Sequence, residues 1–182
     1  MFYIWGMSED FQAESAAERP STDAVAFRVA TEGDRGFITE MFRETDTWGD
    51  PGKDVSEHFQ DDLVRYVDMW TADQGGIIAE YEGAPAGAAW LRNFTESEPG
   101  AGYISDDIPE LAIALRPTMT GLGLGRRLLG ATLDHARAKG YHSVSLAVDY
   151  GNDRARRMYS KFGFVDHGVA PHEECYVMVY RF

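Results

Sequence analysis

The 182-residue sequence has one cysteine, Cys175. A lone thiol closes no internal disulfide, so no disulfide framework holds this chain together and a reducing compartment suits it. Cys175 itself reads as a small buried hydrophobe in a strand. The five histidines lack zinc-site spacing: His167 and His172 share a polar stretch with no cysteines, and no metal is expected. No apolar run approaches the ~20 residues of a membrane span. The opening MFYIWGMSEDF lacks a basic region followed by a long apolar core, so no secretory leader is expected and the cytoplasm is the default location. Positive charge is scarce: 17 Lys and Arg stand against 30 Asp and Glu, a net charge of −13. Such a surface repels nucleic acid. Ser143 and Ser145 lie outside any nucleophile-elbow context.

What the chain does have is apolar content, 44% of its residues, which is enough for a packed core. Residues 1–24 are acidic and polar after their first few positions and read as a mobile N-terminal extension; 25–182 reads as one domain. The charge is segregated. Residues 1–115 carry −17, whereas 116–161 carry +6. A positive segment on an acidic chain suits a polyanionic ligand.

That segment contains the most informative stretch. Glu110–Leu115 is an apolar run after its first residue, bounded by Pro109 and Pro117, and reads as a buried strand. Gly121, Gly123 and Gly125 then alternate through a turn. Leu128, Leu129, Leu133 and Ala136 follow at helical spacing, with Gly140 closing the run. Strand, glycine-rich turn and helix together bring main-chain N–H groups and a helix-dipole end to one point, which is a place for a phosphate. Arg126 stands where a dinucleotide fingerprint needs glycine, and the GK[ST] of a P-loop is absent.

Thr120-Gly121-Leu122-Gly123-Leu124-Gly125 instead resembles the pyrophosphate loop of the GNAT N-acetyltransferase superfamily, although that family favours Gln or Arg where Thr120 stands. A second stretch strengthens the resemblance. Tyr141–Asp149 alternates like a strand, and Asn152, Ala155, Tyr159, Gly163 and Phe164 match the family's N-x-x-A-x-x-x-Y-x-x-x-G-F pattern. The resemblance is specific over Glu110–Phe164 and looser from Phe27 to Phe94.

The resemblance implies an α/β (α+β) fold: a mixed, mostly antiparallel sheet of six to seven strands with about four helices. Its central parallel pair would splay around the cofactor. It also implies an acetyl-CoA-dependent N-acetyltransferase in which a primary amine attacks directly within a ternary complex. The amine would be a small cationic molecule or a peptide amino group. The alternatives are a non-catalytic coenzyme A-binding module and an unrelated nucleotide-binding domain. No membrane partner is expected, and a homodimer is left open.

Elsewhere the pattern predicts a strand over Ala24–Ala30 and a helix capped by Thr31 with Asp34. A loop over Thr45–Lys53 follows, then a second helix over Val55–Trp70. A hairpin of Gly76–Tyr81 and Ala86–Arg92 turns through Glu82-Gly83-Ala84-Pro85. His167–Glu174 reads as a polar connection before a final strand, Cys175–Phe182. In the family the second helical region walls the acceptor site, so Trp48, His58, Phe59 and Tyr66 become candidate substrate contacts, although each taken singly reads first as an ordinary core or rim residue.

For the cofactor, the main chain of Leu122, Gly123, Leu124, Gly125, Arg126 and Arg127 would meet the pyrophosphate. Ile113–Leu115 would run beside the pantetheine arm, pairing with it much as a strand would. Asn152 would bond the arm or cap its helix. Glu110 is the leading general base, with a solvated strand end as its other reading and Asp106 and Asp107 as weaker candidates. A backbone N–H near Ile113–Leu115 would polarise the carbonyl. Tyr159, the family's usual acid, would serve the leaving thiolate.

Overall fold

The computed structural model describes residues 24–121, 123–170 and 174–182. The expected N-terminal extension and Leu122 therefore lie outside the described residues, apart from Ala24.

The order of elements is β1 (Val25–Val29), α1 (Arg35–Thr47), α2 (Phe59–Leu63), β2 (Gly76–Tyr81), β3 (Ala84–Arg92), β4 (Glu110–Leu115), α3 (Leu124–Ala138), β5 (Ser143–Asp149), α4 (Asp153–Phe162), β6 (Val165–Ala170) and β7 (Cys175–Arg181). The seven strands form one sheet in the order β1-β2-β3-β4-β5-β7-β6. Every neighbouring pair is antiparallel except β4 and β5, which run parallel. This is the expected mixed sheet.

Strand alternation sorts the core onto two faces. Ala88 and Trp90 of β3 face α1 and α2, joining Ile38, Met41, Phe42, Val67 and Trp70. Leu91 and Leu111 face the other way, onto Leu129 and Leu133 of α3. Glu110 shares its face with Ala112 and Ala114, and so points towards α1 and α2.

The N-terminus of α1 is set as the sequence predicts. The Thr31 N–H and hydroxyl both donate to Asp34 Oδ2, at 2.8 and 2.9 Å, and a short 3₁₀ turn over Glu32–Asp34 leads into the helix. Several expectations are corrected. The second helix begins at Phe59 rather than Val55, because Asp54–His58 offers no apolar face to dock. After Leu63 it becomes a π-helical turn, Val64–Asp68. The hairpin closes through two residues, Glu82 and Gly83, both at positive φ, rather than four. The first half of the expected polar connection, 167–170, is instead the end of strand β6, and 171–173 lie outside the described residues. β6 is an edge strand with Val165 and Val169 exposed and a register shift between Asp166 and Gly168, so it lacks the alternation that marks a half-buried strand. Among the described residues no helix is long and apolar enough to cross a membrane.

Candidate active site

The parallel pair supplies the site. β4 and β5 share one register position, Glu110 opposite Ser145, closed by Ser145 N–H donating to Pro109 O at 2.9 Å. Beyond it the strands diverge. The gap is a cleft of about 620 Å³ walled by Leu111–Leu115 on one side and by Ala147–Asp149, Asn152 and Tyr159 on the other. Past that bridge β4 and β5 share no further register position.

The start of α3 closes the wide end. Gly121 and Gly123 have φ of 80° and 75°, a left-handed conformation that L side chains adopt at a cost. A Cβ built on either meets nothing within 4 Å, so this turn presents bare backbone to open space. The first helical bond runs from Arg127 N–H to Gly123 O. The N–H groups of Leu124, Gly125 and Arg126 precede it and have no acceptor within the helix.

The structure distributes the other predicted residues unevenly. Ile113, Leu115 and Arg126 line the cleft. Leu124 contributes main chain only, since its side chain is buried in the core with Leu128. Arg127 turns away and lies over the Phe27 ring of β1 at 5.3 Å. Asn152 lines the cleft and also caps α4, accepting from Ala155 N–H at 3.2 Å. Tyr159 is 8% exposed and also lines it. Burial pushes its phenol up to about 12, so it holds its proton throughout any ordinary assay range.

Glu110 is not a solvated strand end. It is 3% exposed and sits at the narrow end of the cleft. Tyr66 donates to its Oε1 at 2.8 Å and accepts from Ala101 N–H at 2.9 Å. Burial first, then the Glu110 charge and hydrogen bond, raise the Tyr66 phenol well above its ordinary value. The connection before β4 covers the carboxyl. A Cβ on Gly100 would collide with Glu110 Oε2, and one on Gly102 would stand 2.9 Å from Glu110 Cδ. Glycine is required at both by close approach.

On the acceptor side Trp48 is 45% exposed and lines the cleft, whereas Phe59 does not. Phe59 stacks on Phe42 at 5.5 Å within the core. His58 is exposed. Four carboxylates that the sequence did not single out for the site, Glu44, Asp46, Asp62 and Asp149, line the cleft, as do Arg126 and Arg154.

A seven-stranded sheet with one splayed parallel pair, and a glycine turn leading into a helix beside it, is the arrangement of acyl-CoA-dependent N-acetyltransferases. Residues 37–164 match the acetyltransferase (GNAT) family, and the chain belongs to that family. Among curated relatives, the mycothiol acetyltransferase of Frankia casuarinae is 36% identical over 110 residues, covering 59% of this chain and 32% of the relative. The mycothiol acetyltransferase of Thermobispora bispora is 29% identical over 154 residues, covering 80% of this chain and 51% of the relative. The chain thus spans about a third to a half of the length of these relatives. Among solved structures, a GCN5-related N-acetyltransferase from Kribbella flavida superposes with a TM-score of 0.64 at 19% identity, covering 89% of this chain and 100% of the other. The PaiA N-acetyltransferase of Thermoplasma acidophilum, solved in complex with coenzyme A, gives 0.62 at 18% identity, covering 87% and 99%. At that identity these two show the fold.

Proposed function

We propose that this chain transfers an acetyl group from acetyl-CoA to a primary amine by direct attack within a ternary complex. The observation that carries the reading is the divergence of β4 from β5 after a single register pair. It leaves a strand edge facing a cleft, with main-chain N–H groups at one end and a buried carboxyl at the other. Family membership and relatives named as acetyltransferases support the same reading.

The residues fit the donor. The N–H groups of Leu124, Gly125 and Arg126 suit a diphosphate, and the bare turn at Gly121 and Gly123 leaves room for it. The edge of β4 from Leu111 to Leu115 suits an arm that carries amides. N–H groups on this edge past the Glu110–Ser145 bridge also suit the oxygen of a thioester carbonyl as charge develops there.

Glu44, Asp46, Asp62 and Asp149 line the cleft beside Glu110, which favours a cationic acceptor. A free ammonium, of pKa about 10, is unreactive until it loses a proton. Glu110 takes that proton directly or through a water. The nitrogen lone pair then attacks the carbonyl carbon, the C–S bond breaks, and the leaving sulfur takes the electron pair. Tyr159 donates a hydrogen bond to that sulfur. Its phenol is a weaker acid than an alkyl thiol of ordinary pKa about 8.5, so the thiolate is protonated by solvent or by the proton that the attacking nitrogen sheds as the amide forms.

The test is release of coenzyme A thiol from acetyl-CoA against a panel of small cationic amines and N-terminal peptides, with the acetylated product identified by mass spectrometry. A specific amide product with matching thiol release is expected. Thiol release that no amine accelerates would leave a coenzyme A-binding module instead.

A further inference from the structure

Three parts of the chain lie beside the Glu110 carboxyl, and a fourth braces one of them. Tyr66 reaches the carboxyl from the π-helical turn Val64–Asp68. Arg92 of β3 is the cross-strand partner of Glu110. The segment Gly100–Gly102 lies against it. From β7, Cys175 Sγ bonds Ala101 O at 3.7 Å, so Ala101 is held from both sides.

The π-turn is not a loose irregularity. A π-turn frees carbonyls from the regular helical ladder, and here side chains from other elements accept that role. Arg92 Nε donates to Arg65 O at 2.8 Å. Trp90 Nε1 donates to Tyr66 O at 3.0 Å. Arg35 donates to Val67 O at 2.6 Å and to Asp68 O at 3.1 Å. Four consecutive carbonyls are therefore tied to α1 or its neighbouring strand β3. Phe42 stacks on the Tyr66 ring at 5.7 Å and Phe94 meets it edge-on at 5.1 Å.

The hydroxyl geometry has a direct consequence. Tyr66 accepts from Ala101 N–H, so its single proton is committed to Glu110 Oε1. A donor aimed at a carboxylate stabilises the ionised form. That is the form a base needs, and burial works against it.

We propose that Tyr66 is the positioning residue of Glu110: its hydroxyl, fixed by Ala101 and the braced π-turn, orients the carboxyl and keeps it ionised for proton abstraction. This rests on the reading of Glu110 as base. In this role Tyr66 acts through the Glu110 carboxyl rather than on the reacting atoms. Among the described residues, charged or titratable groups beside the pair include Asp62 from α2, Arg92 from β3, the Cys175 thiol from β7 and Tyr159 across the cleft on α4. Ser145 on β5 and the Gly100–Gly102 segment add none.

The test is Tyr66→Phe, which keeps the stacked ring and removes the hydroxyl. The acid limb of the kcat/KM profile should move up by about one pH unit. At neutral pH kcat should fall about tenfold, with the KM for acetyl-CoA unchanged. Isotope-edited NMR of the Glu110 carboxyl, without substrate, should show the same upward shift. A ring-fluorinated tyrosine at position 66, a stronger donor of nearly the same shape, should move it downward. In a Glu110→Gln background, Tyr66→Phe should change kcat by less than about twofold. A purely structural role would lower the melting temperature and leave the limb and the carboxyl titration in place. That result overturns the proposal while leaving the acetyltransferase reading intact. If Glu110→Gln alone leaves turnover unchanged, both the base assignment and its positioning fall together.

Discussion

Trp48 Nε1 donates to Asp149 Oδ2 at 2.8 Å, joining the C-terminal cap of α1 to the last residue of β5 across the mouth of the cleft. Trp48 holds φ of 57°, a left-handed conformation that is uncommon for a bulky residue. The Lys53 ammonium lies 4.1 Å from its ring centroid, so the indole already receives a cation in this structure. Under the proposed function, a cationic acceptor passes this indole on its way to Glu110. Trp48→Ala should raise the acceptor KM about tenfold and leave the acetyl-CoA KM within about twofold, a loss of the order of one cation–π contact plus packing. Initial rates with each substrate varied separately decide it. A rise confined to acetyl-CoA would place Trp48 on the wrong side of the reaction.

Glu110→Gln keeps the size and the hydrogen-bond geometry of the buried side chain but removes its basicity. It should lower kcat/KM for the amine by about two orders of magnitude near neutral pH. Raising the pH should recover part of the loss as free amine becomes abundant. A pH–rate profile of the variant parallel to that of the wild type would argue for a different base.

Tyr159→Phe removes a donor from the cleft wall without changing its shape. The expected effect is a fall of about tenfold or more in kcat with little change in acetyl-CoA binding. Because the phenol titrates near 12, no limb of the wild-type profile below about pH 10 should belong to it. Full turnover in the variant, with chemistry rate-limiting, would remove Tyr159 from the reaction.

A stability prediction follows from the N-terminus of α1. Arg28 donates to both oxygens of Asp34, at 2.7 and 2.8 Å. That pairing, joined by the Thr31 donors, holds the Asp34 carboxyl down to about 2. An unfolded aspartate titrates near 3.9, so the folded state favours the ionised form. The stabilisation is present above about pH 4 and is lost as the pH falls towards about 2. Asp34→Asn should cost about 1 kcal/mol at neutral pH, since the Arg28 side chain is partly solvent-screened. The gap from wild type should close on acidification. Urea unfolding midpoints measured across that range would expose a gap that stays constant.

Glycine and cap residues made the cofactor half of the site readable from sequence. Gly121 and Gly123 hold positive φ, Asn152 caps α4, and Gly163 ends that helix in a left-handed conformation. Each is a local backbone requirement, and such requirements are written in the residue itself. The acceptor half was less legible. Tyr66, a candidate substrate contact on a helical stripe, does line the cleft, but a wheel of fixed period does not anticipate the π-turn that aims its hydroxyl at Glu110. Glu110, following Pro109, had a solvated strand end as its second reading; the segment that covers it is set by tertiary packing. Gly100 and Gly102 were the available signal, two close-spaced glycines in an otherwise polar connection. Phe59 reads equally well as rim or core, and only the packing against Phe42 decides it.

The central claim is that a diphosphate sits on the bare turn at the start of α3. Calorimetric titration of coenzyme A into wild type and Gly123→Ala tests it most directly. The Cβ would enter open space, so the fold should persist, with a melting temperature lowered only by the left-handed alanine, about 1–2 kcal/mol. The account predicts one-to-one binding by the wild type and an affinity at least about tenfold weaker in the variant, or about 1.4 kcal/mol. Equal affinity in the two proteins, or no binding by the wild type, would contradict it.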